Sequence, residues 1–166
     1  MADHSARLTG DEAAELRRIL GGRPHVLVAA RGGSALVALL SDRMAIRTAQ
    51  GWQLVAWPDI QRGGWDSENL RLHWELVDGT SDEVTLDHPG QLPHAFAERV
   101  RASIAVTRHV TLENGLGVVQ LVGRRRPGSQ DPVTWHAESV GRCDLGDPRV
   151  QTQVMDLVEQ LRAEFE

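Results

Sequence analysis

Lysine and tyrosine are absent from this chain, phenylalanine occurs twice, and the one cysteine is Cys143. A single cysteine excludes an intrachain disulfide. No apolar run approaches the roughly 20 residues that cross a bilayer, and residues 1–7 lack the apolar core of a signal peptide. We therefore expect a cytoplasmic protein without an integral membrane segment.

Every basic residue is arginine, as a GC-rich coding bias would produce, and 18 arginines face 23 acidic residues for a net charge of −5. That sign disfavours nonspecific binding to nucleic acid or to anionic membranes, although a local basic patch is compatible with it. The 166 residues, of which 41% are hydrophobic, suffice for one compact domain with or without an appendage.

The first predicted element is a short helix that begins at Thr9. Thr9 and Glu12 have the spacing of a capping box, and Gly21-Gly22 followed by Pro24 ends the helix. The apolar residues expected on one face are Ala13, Leu16, Ile19 and Leu20. Such a helix needs a sheet to pack on.

Seven short β-segments are predicted next, because apolar and polar residues alternate between turn residues. The segments cover residues 26–30, 35–40, 43–48, 52–57, 60–65, 70–77 and 84–86. In the fourth segment Trp52 shares the parity of Leu54, which predicts that Trp52 is core. In the sixth segment His73 lies on the polar parity, which predicts exposure to solvent.

A second helix follows, and then a tail with two more β-segments and a third helix. The stripe of the second helix has a spacing of four residues and consists of Leu92, Phe96, Val100 and Ile104. The tail segments cover residues 117–123 and 133–140. Asp147-Pro148 predicts the start of the third helix, with Asp as N-cap and Pro at the first helical position.

Three sequence steps within residues 24–106 carry a resemblance to a known family. One strand ends in Ser41-Asp42-Arg43, a later strand ends in Ala56-Trp57-Pro58-Asp59-Ile60, and the closing helix centres its apolar stripe on Phe96. This pattern resembles the bacterial pleckstrin-homology-like (PH-like) domains, and the whole layout is similar to small actinobacterial proteins.

The resemblance implies an α+β fold, a bent antiparallel β-barrel or sandwich of about seven strands capped by a helix. It implies binding to peptides, other domains or phosphoinositides, and only rarely catalysis. Lipid-binding members carry several basic residues around the first β-turn, where this chain has only Arg31. We expect an N-terminal helix over 1–23, the PH-like domain over 24–106, and a strand-strand-helix extension over 107–166 on the same core.

Two tryptophans and one arginine are the candidate partner-binding residues. Trp57 and Trp65 lie off the apolar parity or in irregular segments, and Arg62 lies between them. Exposed tryptophans would form a contact patch, since tryptophan is enriched at binding hot spots. The alternative is that one of them packs under the N-terminal helix or the tail.

The one basic run of the sequence is Arg124-Arg125-Arg126. It could bind an anion such as a nucleic acid or a lipid headgroup. The structural alternative is a solvated strand end, and a nucleic-acid platform would also need interleaved aromatic residues.

Residues for chemistry are sparse. His109 and His136 could meet across a hairpin, and Cys143 could approach His136, which leaves a small-ligand carrier or an enzyme as a further alternative. No spacing typical of metal ligands and no phosphate-binding glycine loop occurs. We therefore expect no catalytic residue, metal or cofactor.

The function predicted from the sequence is a non-enzymatic cytoplasmic module for protein interaction or regulation. Its expected partner is another protein or a peptide, and a homodimer through a sheet edge or the last helix is compatible with the pattern.

Overall fold

The computed structural model describes residues 7–165 and divides into two compact units, one ending at Ala102 and the other beginning at Ser103. Over these residues the protein is α+β, with three helices and three antiparallel sheets. The sheets are open. Of the two forms that we expected, a β-barrel or a β-sandwich, a closed barrel is therefore not present among these residues. Residues 1–6, on which the expectation about a signal peptide rests, lie outside the described part.

The first unit contains two helices and seven strands, and each of the seven predicted β-segments is a strand. They are α1 (Gly10–Leu20), β1 (Val26–Gly32), β2 (Ala35–Leu40), β3 (Arg43–Thr48), β4 (Gly51–Ala56), β5 (Ile60–Asp66), β6 (Arg71–Leu76), β7 (Ser81–Thr85) and α2 (Leu92–Ala102). Each strand pairs with its neighbours in sequence, in one sheet of order β1-β2-β3-β4 and another of order β5-β6-β7.

The helix α1 begins as predicted. Thr9 is the N-cap, its hydroxyl accepts from the Glu12 N–H, and the Glu12 carboxylate accepts from the Thr9 N–H at 2.8 Å. Gly21 ends the helix in the left-handed conformation at φ 73°. Within the predicted stripe, Leu16 is fully buried, but Ile19 is 48% exposed because it lies beside the contact face and not on it.

The four-stranded sheet is covered on both faces. A main core lies on one face and is built from both sheets and α2; it includes Leu39, Met44, Trp57, Leu72, Trp74 and Phe96. An outer cluster on the other face lies against α1; it consists of Leu16, Ala29, Leu36, Ala38 and Ala45. This two-sided burial explains why β2 is apolar along its whole length.

The parity of β4 is opposite to our expectation. Trp52 and Leu54 pack, partly buried, against the outer cluster, whereas Val55 and Trp57 belong to the main core. The indole N–H of Trp57 donates to the Leu40 carbonyl at 2.9 Å. Because both faces of the sheet are covered, either parity of this strand could be buried.

The end of β1 lies against the end of β7. The Asp87 N–H donates to the Arg31 carbonyl at 3.0 Å, and a Cβ atom on Gly32 would lie 1.9 Å from the Thr85 carbonyl oxygen. Only a glycine fits such an approach. This contact joins the two sheets around the main core.

The second unit has three strands and one helix. They are β8 (Ile104–Thr111), β9 (Val118–Arg124), β10 (Thr134–Val140) and α3 (Pro148–Phe165), with strand order β10-β9-β8. The predicted helix stripe ran on to Ile104, but α2 ends at Ala102 and Ile104 begins a strand, as β-branched residues favour. The predicted start of α3 is confirmed, since Asp147 Oδ1 accepts from the Arg149 N–H at 2.9 Å.

The second unit has a core of its own, between its sheet and α3. The buried members are Leu112, Val119, Leu121, Cys143 and Val150. Within residues 7–165, no helix is both long enough and apolar enough to cross a membrane.

Candidate functional site

The three predicted partner-binding residues do not form one surface. Trp57 is 0% exposed in the main core, so the contact patch loses its first member. Trp65 is partly buried and packs against the same core. Arg62 is exposed and pairs with Glu75 at 3.4 Å.

The arginine run is also divided by its strand. Arg124 is 3% exposed and donates to the Ser103 hydroxyl at 2.8 Å, and burial lowers the pKa of its guanidinium. Arg126 is exposed and forms a salt bridge with Asp131. Arg124 is therefore removed from the exposed part of the run, whereas the half-buried Arg125 and the exposed Arg126 lie beyond the end of β9.

The histidines and the thiol lie on opposite faces of the second unit's sheet. His109 pairs in register with Gln120 and His136 with Val122, on the parity that faces away from α3. Cys143 packs on the α3 side with Leu121. The three groups do not converge, so no thiol–imidazole pair forms among them.

His136 has a structural partner instead. Its Nε2 lies 3.2 Å from Glu138 Oε1, and burial lowers the pKa of the imidazole below its ordinary value despite that carboxylate. The described residues contain no group of three or more side chains that could hold a metal ion.

Arg31, the one basic residue in the β1–β2 region, is already occupied. Its Nη1 donates to Glu12 Oε2 at 2.8 Å and its Nη2 donates to the Arg7 carbonyl at 2.8 Å. The Glu12 carboxylate raises the pKa of this guanidinium further. A phosphate would have to displace an internal ion pair to bind here.

A groove beside α1 brings together arginines that we did not predict. This α1 groove has a volume of about 550 Å³. It is lined by Leu8, Gly10, Ala13, Ala14, Arg17, Arg18, Arg23, Pro24 and Val26. Its floor is small or apolar, and its three charged side chains carry the same sign.

The helix α1 can present this face because its other face is fixed to the sheet. Glu15 Oε2 accepts from the Trp52 indole at 2.8 Å and from Arg47 Nε at 3.0 Å, and both bonds lower the pKa of Glu15. Glu12 is held by Arg31 in the same way. Two of the three acidic side chains of the helix, those of Glu12 and Glu15, are therefore held on its sheet side, whereas the third, that of Asp11, is exposed.

The arginines of the groove are exposed and have no ion-pair partner within residues 7–165. Arg17 and Arg18 lie in the last turn of α1, and Arg23 follows the turn at Gly21. Arg18 helps to lower the pKa of Glu15, without forming a salt bridge with it. In a chain of net charge −5, three such arginines form a local basic site.

The sequence contains part of the signal for this site. Ala13, Ala14, Arg17 and Arg18 follow the i, i+4 spacing of one helix side. The position of Arg23 depends on how the chain turns after the helix, which spacing alone does not give.

A second groove on the outer face of β5, β6 and β7 has mixed charge. Its volume is about 600 Å³, and its lining includes Arg62, His73, Glu75, Asp82 and Glu83. His73 is exposed, as predicted, but Arg62 is neutralised by Glu75. The α1 groove is thus the better candidate site. Comparison of the chain with models of protein families, with curated proteins and with solved structures finds no match.

Proposed function

We propose that this chain is a non-enzymatic protein-interaction module that binds a segment of a partner protein in the α1 groove. The observation that carries the proposal is the set of three exposed arginines, without an ion-pair partner among residues 7–165, over a floor of small and apolar side chains. Pockets that bind ligands combine an apolar lining with a few polar groups in this way.

The architecture of the first unit supports the same function. The unit has a sheet of four strands and a sheet of three strands, each with its strands paired in sequence order, and a helix packed on the core that the sheets share. This is the order of elements that a PH-like domain implies. Most PH-like domains bind other molecules and do not catalyse reactions. Fold analogy alone does not assign a function, so the proposal rests mainly on the residues of the α1 groove.

The anchoring of α1 favours binding because one wall of the groove is held in place. Glu12 bonds to Arg31, and Glu15 bonds to Arg47 and Trp52. A ligand then loses little free energy in ordering the site. The free cysteine, Cys143, is compatible with the reducing cytoplasm, where we place the protein.

A peptide selection that assumes nothing about the sequence of the ligand tests this proposal. A random peptide library is selected on the full chain, and each enriched peptide is tested on the Gly10→Leu variant. A Cβ on Gly10 meets no atom within 4 Å, so leucine fits the helix and fills one end of the groove. Ala163→Leu, an exposed helical position in α3, is the matched control.

The expected result is a set of peptides that bind the wild-type chain and the Ala163→Leu variant but not Gly10→Leu. Peptides that bind all three proteins equally, or no enriched peptide at all, would contradict the proposal. Self-association through the open sheet edges stays a separate prediction, which sedimentation of the chain alone can examine.

A further inference from the structure

We infer, building on the proposed function, that the ligand of the α1 groove is an acidic peptide segment with an apolar residue beside its carboxylates. The groove differs between its two ends. Arg17 and Arg18 lie near the C-terminal end of α1, whereas Gly10 and Ala13 line the N-terminal end. A ligand that matches both ends carries its negative charge on one side and an apolar group on the other.

The length of the groove limits how much of the ligand it holds. Gly10 and Arg18 are eight residues apart in α1, which corresponds to about 12 Å along the helix axis. An extended chain covers that distance with about four residues. The recognised segment is therefore short, with two or three acidic residues and one apolar neighbour.

The charges around the site favour carboxylates. Of the three α1 carboxylates, Glu12 and Glu15 are bonded on the sheet side of the helix, and the exposed Asp11 lies in the first turn, at the end of the helix opposite to Arg17 and Arg18. Arginine binds carboxylates with two parallel hydrogen bonds, which gives both strength and direction. Arg17 and Arg18 also complement the dipole of α1, but Arg23 lies outside the helix and has no such role.

A peptide fits the site better than a membrane surface. Each basic residue near an anionic membrane contributes only weakly to binding, and the chain carries 23 acidic residues that such a surface would repel. The apolar end of the groove is lined by the small residues Gly10 and Ala13. A single apolar side chain of a peptide matches this lining.

The experiment uses fluorescent synthetic peptides and the full chain. The probe peptide has one leucine followed by three glutamates, and its matched partners have three glutamines or replace the leucine with serine. Anisotropy is measured at low and physiological salt. The affinity of the probe should be higher than that of the glutamine peptide by about tenfold or more, and it should fall as the salt concentration rises.

Charge reversal in the groove should remove that preference. Arg17→Glu with Arg18→Glu should weaken binding of the probe about tenfold or more, and Arg17→Gln with Arg18→Gln keeps the test valid if the reversal unfolds α1. Arg101→Glu is the control, because Arg101 is also exposed in the last turn of a helix, α2.

Two results would overturn the inference and leave the proposed function intact. One is equal binding of the glutamate and glutamine peptides that Gly10→Leu abolishes, since the groove would then hold neutral peptides. The other is selection of groove-dependent peptides without acidic residues. Binding of phosphatidylserine vesicles that depends on Arg17 and Arg18 would overturn it in favour of a lipid headgroup. Failure of every peptide, selected or synthetic, would contradict both proposals.

Discussion

Arg31 donates hydrogen bonds from both Nη atoms to the carboxylate of Glu12. The same carboxylate closes the capping box of α1 by accepting from the Thr9 N–H. One nearly buried side chain therefore stabilises the start of the helix and also fixes the helix to β1. These bonds, first of all the one from Arg31, lower the pKa of Glu12 from 4.5 to about 2.

Stability should fall at low pH through this group. Because the folded pKa is below that of the unfolded chain, the contribution of Glu12 is fully present above pH 4.5 and is lost as the pH falls towards 2. Because Arg31 is partly open to solvent, which weakens the ion pair, we expect ionised Glu12 to contribute about 2 kcal/mol to the free energy of unfolding. Urea unfolding of the wild type and of Glu12→Gln between neutral and acid pH measures it.

The glutamine variant should be less stable at neutral pH, and the difference should nearly vanish near pH 2. Subtraction of the two curves removes the other carboxylates, which both proteins share. A constant difference across the whole pH range would mean that the ionised form of Glu12 is not what stabilises the fold.

Gly32→Ala should destabilise the first unit by more than about 2 kcal/mol. The added Cβ would lie 1.9 Å from the Thr85 carbonyl oxygen, and that atom belongs to backbone that cannot move without disturbing β7. Gly22→Ala is the control, since a Cβ there meets nothing within 4 Å. Denaturant midpoints that are equal for the two variants would contradict the close approach of the strands.

Trp57→Ala should cost about 3–5 kcal/mol because it leaves a large cavity and an unpaired Leu40 carbonyl. Arg62→Ala should change stability by less than about 0.5 kcal/mol, since its ion pair is exposed. Thermal unfolding of both variants checks this contrast. A fully stable Trp57→Ala protein would restore the surface-patch hypothesis.

Cys143 should react slowly with a water-soluble thiol reagent in the folded protein and rapidly in denaturant. Its side chain is buried against Gly117, where an added Cβ would lie 3.0 Å from the Cys143 Cβ. A reactive catalytic thiol would be partly exposed and electropositive in its surroundings. Equal labelling rates in the folded and unfolded chain would refute this burial.

Leu70→Gly should stabilise the protein by about 0.5–1 kcal/mol. Leu70 has φ 54°, a left-handed conformation that glycine adopts without strain, and its side chain is 38% exposed. The gain should appear as a higher urea midpoint with an unchanged slope. A loss of stability would show that the leucine side chain contributes more than its strain costs.

The sequence predicted the first unit well where burial is one-sided. In β6, Leu72 and Trp74 alternate with exposed residues, and their parity is confirmed. The prediction was wrong in β4 because Trp52 and Val55 face different covered surfaces, and no alternation distinguishes them. The predicted end of α2 was wrong because Ile104 pairs with Arg124, and this pairing depends on a strand 20 residues later in the chain.

The candidate site was less predictable than the fold. Sequence reasoning selected Arg124 for its adjacent charges, but β9 buries its last four residues and ends at Arg124, so this arginine is separated from the exposed Arg126. It passed over Arg17 and Arg18 because charged residues near a helix end have an ordinary structural role. Only the position of Arg23 beside the helix makes these arginines a site, and a turn in the tertiary structure determines that position.

The attachment of α1 also sets an order of events during synthesis. The helix leaves the ribosome before the sheet on which it packs. Its side chains Glu12 and Glu15, however, bond to residues that are 19, 32 and 37 positions further along the chain, namely Arg31, Arg47 and Trp52. Because a helix of 11 residues is marginal by itself, α1 should stay unformed until β4 has emerged. The groove that we propose as the binding site should therefore be able to bind a ligand only after the four strands of the first sheet have been synthesised.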